Sequence, residues 1–75
     1  MDNAVELLSV VALTEDFSRR RLRRGQVGTV VQELADGVYE VEFCDNEGRA
    51  FECLPLRAEQ FLVLRYEPAE AGSPP

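Results

Sequence analysis

The chain has 75 residues, a formal net charge of −6 and a hydrophobic fraction of 45%. That length allows a single domain whose core is too small to enclose a large ligand cavity, and the negative charge opposes non-specific binding to nucleic acid or anionic membranes. The sequence contains no histidine, the commonest general base and metal ligand, so we expect no enzymatic activity, no metal site and no cofactor.

The N-terminal third predicts one strand followed by a long loop. Residues 7–13 are almost all apolar, which is typical of a strand buried on both sides or at a barrel seam. Residues 14–24 carry too much charge for a buried strand and are too few to favour a helix, so we interpret them as a loop. The apolar side chains of Phe17 and Leu22 are expected to hold this loop against the core.

The central part of the chain predicts a β-hairpin. Residues 26–34 form the second predicted strand, and Gly28 within it indicates a bulge, a tight bend or a close backbone approach. Asp36-Gly37 follows and fits a two-residue type I′ turn, in which both central residues have positive φ. Residues 38–44 then alternate between apolar and acidic side chains, which predicts the third strand.

A second predicted hairpin sets the register between the third and fourth strands. Asn46-Glu47-Gly48 favours a three-residue turn with glycine in the left-handed conformation, so that Asp45 lies opposite Arg49. The cross-strand pairs that follow are Phe43 with Phe51, Val41 with Cys53 and Tyr39 with Pro55. A one-residue slip would turn the apolar side chains outward, so the apolar pattern selects this register. It also places Glu42 opposite Glu52, a like-charge pair that costs about 0.2–1 kcal/mol.

The C-terminal part completes an all-β fold. We expect Pro55 to end the fourth strand, residues 57–60 to form a 3-10 turn and residues 61–65 to form the last strand. Five short strands, with a long loop after the first and a 3-10 turn before the last, predict a small SH3-like barrel in which the first and last strands pair. The predicted domain covers residues 1–66, and residues 67–75 bury too little to fold, so they form a disordered tail.

Two segments resemble a known family of small bacterial proteins. Residues 22–31 (Leu-Arg-Arg-Gly-Gln-Val-Gly-Thr-Val-Val) and residues 37–43 (Gly-Val-Tyr-Glu-Val-Glu-Phe) look like domain-of-unknown-function family 4926. The likeness extends over about residues 7–64 and implies an SH3-like barrel. The spacing Gly-x-x-Gly-x-Val also occurs in barrels of ribosome-associated and transcription-elongation proteins, where such modules contact RNA or protein. The family name itself implies no activity.

Cys44 and Cys53 raise the question of a disulfide or a metal site. In the predicted register they lie on opposite faces of the hairpin and about 10 Å apart, which is beyond the reach of a disulfide. Two ligands are also too few for a four-coordinate metal site. We therefore expect a core thiol at Cys53 and a rim thiol at Cys44, both reduced in a cytoplasmic protein that has no export signal and no membrane span.

The outer face of the second hairpin is predicted to be acidic. Glu40, Glu42 and Glu52 form a ridge that would suit a cation or a basic partner as a second binding surface. Such a ridge is also commonly the solvated side of an antiparallel sheet, and the sequence leaves both alternatives open.

Arginines crowd the predicted loop: five of the eight cationic residues lie there. They are Arg19, Arg20, Arg21, Arg23 and Arg24. Because like charges repel, such a cluster requires compensation. The arginines could pair with the chain's own carboxylates, among them the ridge, Glu15 and Asp16. They could instead bind carboxylates of a protein partner, for which the planar guanidinium group is well suited, or phosphates of RNA or DNA.

We favour the protein partner. A nucleic-acid module usually carries a net basic charge with aromatic side chains beside the basic patch, whereas this chain is net acidic and its core claims most of its aromatics. The expected function is a non-catalytic binding module that docks through the arginine cluster, in a role such as adaptor, antitoxin or immunity protein. The alternatives are nucleic-acid binding through the same residues and a structural or self-associating barrel without a ligand.

Overall fold

A computed structural model describes residues 5–68 as five antiparallel strands and two 3-10 turns, with no α-helix in that range. The strands are β1 (Val10–Leu13), β2 (Val27–Ala35), β3 (Val38–Cys44), β4 (Ala50–Arg57) and β5 (Phe61–Val63). The 3-10 turns are Ser18–Arg20 and Ala58–Gln60. The all-β class and the turn before the last strand are as predicted. The predicted tail, 67–75, lies outside the described residues except for its first two positions.

All five strands form one sheet in the order β4-β3-β2-β1-β5. β1 pairs with β5 from Val11 opposite Val63 to Leu13 opposite Phe61, so the first and last strands are neighbours as predicted. Within the described sheet β4 has β3 as its single neighbour, so no continuous hydrogen-bonded ladder closes the barrel. The plan is that of a small SH3-like β-domain with open sheet edges at β4 and β5.

One apolar cluster fills the inner side of the sheet. Its buried members are Val11, Leu13, Leu22, Val30, Tyr39, Val41, Phe43, Leu54, Leu56 and Phe61. The rings of Tyr39 and Phe61 meet edge to face with their centroids 6.0 Å apart. Leu22 belongs to the segment between β1 and β2, and Phe17 packs against the same cluster. The two apolar side chains therefore pin the loop to the core, as predicted.

The turn between β3 and β4 has the predicted form. The Asp45 N–H donates to the Arg49 carbonyl oxygen at 2.8 Å, and Gly48 has a φ of +83°. The Asp45 carboxylate accepts hydrogen bonds from the N–H groups of Arg49 and Glu47 at 3.0 and 2.9 Å. These bonds, that from Arg49 above all, lower the pKa of the Asp45 carboxyl. The aspartate thus stabilises the turn through its own side chain.

A bulge in β4 makes the predicted register wrong beyond this turn. Cys44 pairs with Ala50, but the next pair is Phe43 with Glu52, so Phe51 is an extra residue in β4. The later pairs on this face are Val41 with Leu54 and Tyr39 with Leu56, in place of Cys53 and Pro55. The shift is favourable because it buries two leucines instead of a cysteine and a proline.

Three strand ends also differ from the predictions by two residues or more. β1 begins at Val10 rather than at residue 7, because Leu8 has a left-handed φ of +69° and the chain turns there. β4 continues through Pro55, which a sheet tolerates in an edge strand because one side of that strand needs no N–H donor. β5 ends at Val63 rather than at residue 65.

The turn between β2 and β3 is not the predicted type I′ turn. Gly37 has a φ of +77°, but Asp36 does not have a positive φ, and type I′ requires one at both positions. β2 also has two irregularities in its register with β3, both after Val30. Residues 31–37 are all exposed, so this end of the hairpin extends past the core, where packing does not constrain the turn.

Gly28 marks a close approach inside the core. A Cβ atom at this position would lie 2.7 Å from a ring carbon of Phe43 and 2.8 Å from a methyl carbon of Val41. Carbon atoms that are not bonded pack at about 3.5–4.0 Å, so no side chain fits there without displacing a neighbour. Of the three sequence-based interpretations of Gly28, the structure confirms the close backbone approach.

Candidate binding surface on the arginine loop

The arginine loop, residues 18–24, contains a compact hairpin. At its base Phe17 and Leu22 exchange two backbone hydrogen bonds, of 2.9 and 3.2 Å. The 3-10 turn Ser18–Arg20 forms its tip, and Arg21 follows with a left-handed φ of 60°. Because Leu22 is buried and Phe17 packs against the core, the hairpin is attached firmly to the domain.

Two side-chain acceptors hold the backbone that follows the hairpin. The Arg24 N–H donates to Oδ1 of Asp16 at 2.8 Å, and the Arg23 N–H donates to Oε1 of Gln26 at 3.1 Å. Both bonds use the backbone of an arginine and leave its guanidinium group uninvolved. The loop is therefore ordered by its backbone, while its cationic side chains are exposed.

Arg20 and Arg21 pack against the bulge of β4. The Arg20 Nε donates to Oε2 of Glu52 at 2.6 Å, and the Glu52 side chain is only 17% exposed. The guanidinium carbon of Arg21 lies 5.6 Å from the centroid of the Phe51 ring, within the range of a cation–π contact. Glu52, a member of the predicted ridge, thus compensates the charge of Arg20. The intramolecular alternative predicts such pairing for all five arginines.

The other three arginines of the loop have no such partner. Arg19, Arg23 and Arg24 are exposed, and no carboxylate of the described residues lies within 4.0 Å of their guanidinium groups, although the chain has 14 acidic residues. Two open grooves adjoin the loop. One, of about 510 Å³, is lined by Asp16, Ser18, Arg21, Leu22 and Arg23, and the other is lined by Arg23, Arg24, Gly25, Gln26 and Asn46. The loop therefore presents uncompensated positive charge beside two concave surfaces.

The register shift divides the predicted acidic ridge. Glu40 and Glu42 lie on the outer face of β3, where they alternate with buried residues. Glu42 pairs with Cys53, whereas Glu52 pairs with Phe43 on the inner face. The predicted like-charge pair of Glu42 with Glu52 is therefore wrong, and the outer face retains an acidic pair, Glu40 and Glu42.

Cys53 lies beside this acidic pair. Both cysteines are exposed free thiols, so the prediction of a core thiol at Cys53 is wrong, because the bulge turns this residue outward. The Cys53 Sγ–H donates to Oε2 of Glu40 at 2.9 Å. Desolvation of the sulfur, this hydrogen bond and the negative charges of Glu40, Glu42 and Glu52 raise the pKa of the Cys53 thiol to about 11.

The raised pKa predicts slow alkylation of Cys53. With a pKa of about 11, roughly one thiol in a thousand is ionised at pH 8, against about one in ten for an ordinary thiol of pKa 9.0. In a Cys44→Ser variant, iodoacetamide should react about tenfold more slowly than with a short peptide containing Cys53, because the stronger nucleophilicity of the more basic thiolate offsets part of its roughly hundredfold smaller population. The rate should rise about tenfold per pH unit up to pH 10. Glu40→Gln should accelerate the reaction, and a rate that levels off near pH 9 would contradict the arrangement.

The described part of the chain holds few other chemical candidates. No group of three or more Cys, Asp or Glu side chains in residues 5–68 is placed to hold a metal ion. Within the same range, no helix combines the length and the apolar character that crossing a membrane requires.

Comparison with known proteins gives a family for this fold and surface. Residues 7–63 match the family described as Domain of unknown function (DUF4926), and this segment contains all five strands and the arginine loop. The chain belongs to this family. The match confirms the resemblance seen in the sequence. In this DUF4926 domain the matched segment ends at Val63, the last residue of β5. No curated protein and no solved structure matches the chain.

The sequence located the arginines of the DUF4926 domain and included Glu52 among their candidate partners, but it did not indicate that Phe51 lies beside them. Phe51 and Glu52, which contact Arg21 and Arg20, reach the loop because of the bulge in β4. The signal that points to the bulge is the pair of leucines at 54 and 56, which alternate with less apolar residues. That alternation favours burial of the leucines and implies that one residue is added nearer the turn.

Proposed function

We propose that this DUF4926 domain is a non-catalytic module that binds an acidic surface of a protein partner through the arginine loop. The proposal rests on one observation: Arg19, Arg23 and Arg24 are exposed and have no carboxylate partner among the described residues of a chain rich in acid. An adaptor, an antitoxin or an immunity protein would use such a surface. In the cytoplasm, where we place this activity, both free thiols would stay reduced.

Backbone order suits the loop to binding. The hairpin and the bonds to Asp16 and Gln26 hold the loop before a partner arrives, so that binding costs little conformational entropy. The guanidinium group presents a planar fork of donors that matches a carboxylate in two parallel hydrogen bonds. In this arrangement Arg20 and Arg21 position the loop, and the three uncompensated arginines contact the partner.

Charge and aromatic placement favour a protein over a nucleic acid. A net charge of −6 repels a polyanion at long range. Modules for single-stranded nucleic acid also stack bases on exposed aromatic rings. The two rings nearest the loop, Phe17 and Phe51, are half-buried, and the Arg21 guanidinium lies over Phe51. Neither ring offers a free face comparable with those of stacking platforms.

A charge-matched pair of variants tests the proposal. Arg23→Ser with Arg24→Ser removes two loop cations and keeps the backbone N–H donors to Gln26 and Asp16. Arg57→Ser with Arg65→Ser makes the same charge change at exposed positions outside the loop. A tagged chain captures its partner from the native host, and the purified partner is titrated by calorimetry. We expect the loop variant to weaken binding at least about tenfold and the control variant less than about threefold.

Several outcomes would contradict the proposal. Equal affinity of the two variants would place the interface elsewhere. A thermal midpoint that falls by many degrees in the loop variant alone would give the arginines a structural role. Binding to single-stranded RNA or duplex DNA at about 50 mM salt that is lost at about 200 mM would favour the nucleic-acid alternative. A dimer of the purified chain that disappears in the loop variant would favour self-association.

A further inference from the structure

The outer face of β5, β1 and β2 carries an apolar strip, consisting of Val10, Ala12, Val27 and Leu62. Ala12 pairs with Leu62 on one side and with Val27 on the other, so these three side chains share one row across the sheet. Leu62 is 61% exposed and Val27 is 50% exposed. The row therefore presents a small apolar side chain, that of Ala12, between two larger exposed ones.

An acidic border adjoins this strip on the next strand. Val10 pairs with Thr29, Thr29 pairs with Glu42, and Glu42 pairs with Cys53, which bonds to Glu40. No arginine of the described residues forms an ion pair with Glu40 or Glu42. Desolvation is the largest cause of the raised pKa of the Cys53 thiol, and the negative charges of Glu40 and Glu42 add to it. The outer face therefore combines apolar surface with uncompensated negative charge.

A second copy of the chain does not fit this face. Two copies that met through this face would each bring a net charge of −6 and an acidic border to the contact. The arginine loop of a second copy is cationic, but its apolar side chains, Phe17 and Leu22, pack against its own core and cannot cover the strip. Four side chains also bury far less than the roughly 1,200–2,000 Å² of a stable interface between folded proteins. An anionic membrane is disfavoured by the same border. Charge complementarity calls for an occupant that is both apolar and cationic, and the small area suits a single segment of chain.

We propose that this outer face docks a basic amphipathic helix of a partner protein, with apolar side chains over Ala12 and Lys or Arg side chains at the acidic pair. From β5 to β3 the face spans three strand spacings, about 14 Å, which about ten residues of α-helix cover. The proposed site lies on the outer face of the sheet. The arginine loop instead contacts Glu52, which pairs with the buried Phe43 and therefore belongs to the inner face. The proposed site is therefore independent of the arginine loop, and its test does not depend on the proposed function.

The probe is a designed 14-residue peptide of leucine and lysine, with leucine at helical spacing on one face and lysine on the other. Titrated into the isotope-labelled chain, it should shift the backbone amide NMR signals of Ala12, Val27, Leu62 and Glu42, with micromolar to low millimolar affinity. Glu40→Gln with Glu42→Gln should weaken binding about fivefold or more, and added salt should do the same. Leu62→Ser with Val27→Ser should weaken it about tenfold or more. Melting curves establish that each variant is folded.

The matched controls are a second peptide and a second variant. A peptide with glutamate in place of every lysine should not bind. Leu7→Ser with Leu34→Ser changes two exposed leucines outside the strip, 63% and 45% exposed, and should leave affinity unchanged. The proposal is overturned if the basic peptide does not bind at 2 mM, or if it binds equally well without the acidic pair. Signal shifts centred on the arginine loop, or dimerisation of the free chain through the strip, would overturn it as well.

Discussion

Replacing Leu56 with alanine is expected to lower the free energy of unfolding by about 2–5 kcal/mol. Leu56 is 1% exposed and lies opposite Tyr39, so the truncation leaves a cavity in the core. A domain of 75 residues has a stability of about 4–11 kcal/mol in total, of which this is a large share. Urea and thermal unfolding, followed by circular dichroism, measure the change. The midpoint should fall by about 4–8 °C for each kcal/mol.

Two control substitutions connect this loss to the register of β4. Leu62→Ala deletes the same atoms from a side chain that is 61% exposed, and should change stability by less than about 1 kcal/mol. Pro55→Ala tests the position that a register without the bulge would place opposite Tyr39. In the observed register Pro55 is exposed, so its replacement should also cost less than about 1 kcal/mol. A larger loss of stability from Pro55→Ala than from Leu56→Ala would support the register without the bulge instead.

The class of the fold was predictable because its main signals are local. β3 alternates strictly between buried and outward residues, and the turn at residues 45–49 has the glycine and the aspartate that its hydrogen bonds require. Phe17 and Leu22 were recognisable as anchors, since they are the large apolar side chains in a charged segment. Each of these inferences depends on residues close together in the chain, where period and turn chemistry suffice.

The predictions that depended on pairing between strands were more often wrong. The bulge at Phe51 adds one residue to β4. The alternation of Leu54 and Leu56 implies an added residue between the turn and Leu54, but a period-two pattern does not show at which position it is added. The same shift moved Cys53 out of the core, Glu52 off the acidic ridge and Pro55 into the strand. Leu8 escaped prediction for a different reason: its apolar side chain suits a strand, but its backbone is left-handed and the side chain is 72% exposed.

The candidate site was predictable as a cluster but not as a surface. The five arginines stand together in the sequence, so their common loop was evident. Their division into two groups depends on tertiary contacts: Glu52 compensates Arg20, Phe51 lies under Arg21, and the remaining three are exposed without an acidic partner among the described residues. Charge pairing between residues distant in the chain requires the fold to be known first.

Replacing Gly28 with alanine is expected to destabilise the domain by about 1–3 kcal/mol. Gly28 does not have a left-handed φ, so its backbone accepts an alanine, and without close neighbours the change would stabilise a strand by about 0.4–1 kcal/mol. A steric clash makes the change in stability unfavourable, because the new methyl group would lie 2.7 Å from the Phe43 ring. Chemical denaturation gives the change directly, with a correspondingly lower midpoint.

A double-mutant cycle with Phe43→Leu separates this clash from any general effect of alanine in β2. The smaller side chain gives up the ring carbons that a methyl group at position 28 would meet, so the two substitutions should be less costly together than the sum of their separate costs, by about 0.5–3 kcal/mol. Additive costs would show that the two positions do not contact each other. That result would contradict the packing of the inner face, in which the backbone of β2 at Gly28 lies directly against the ring of Phe43 in β3.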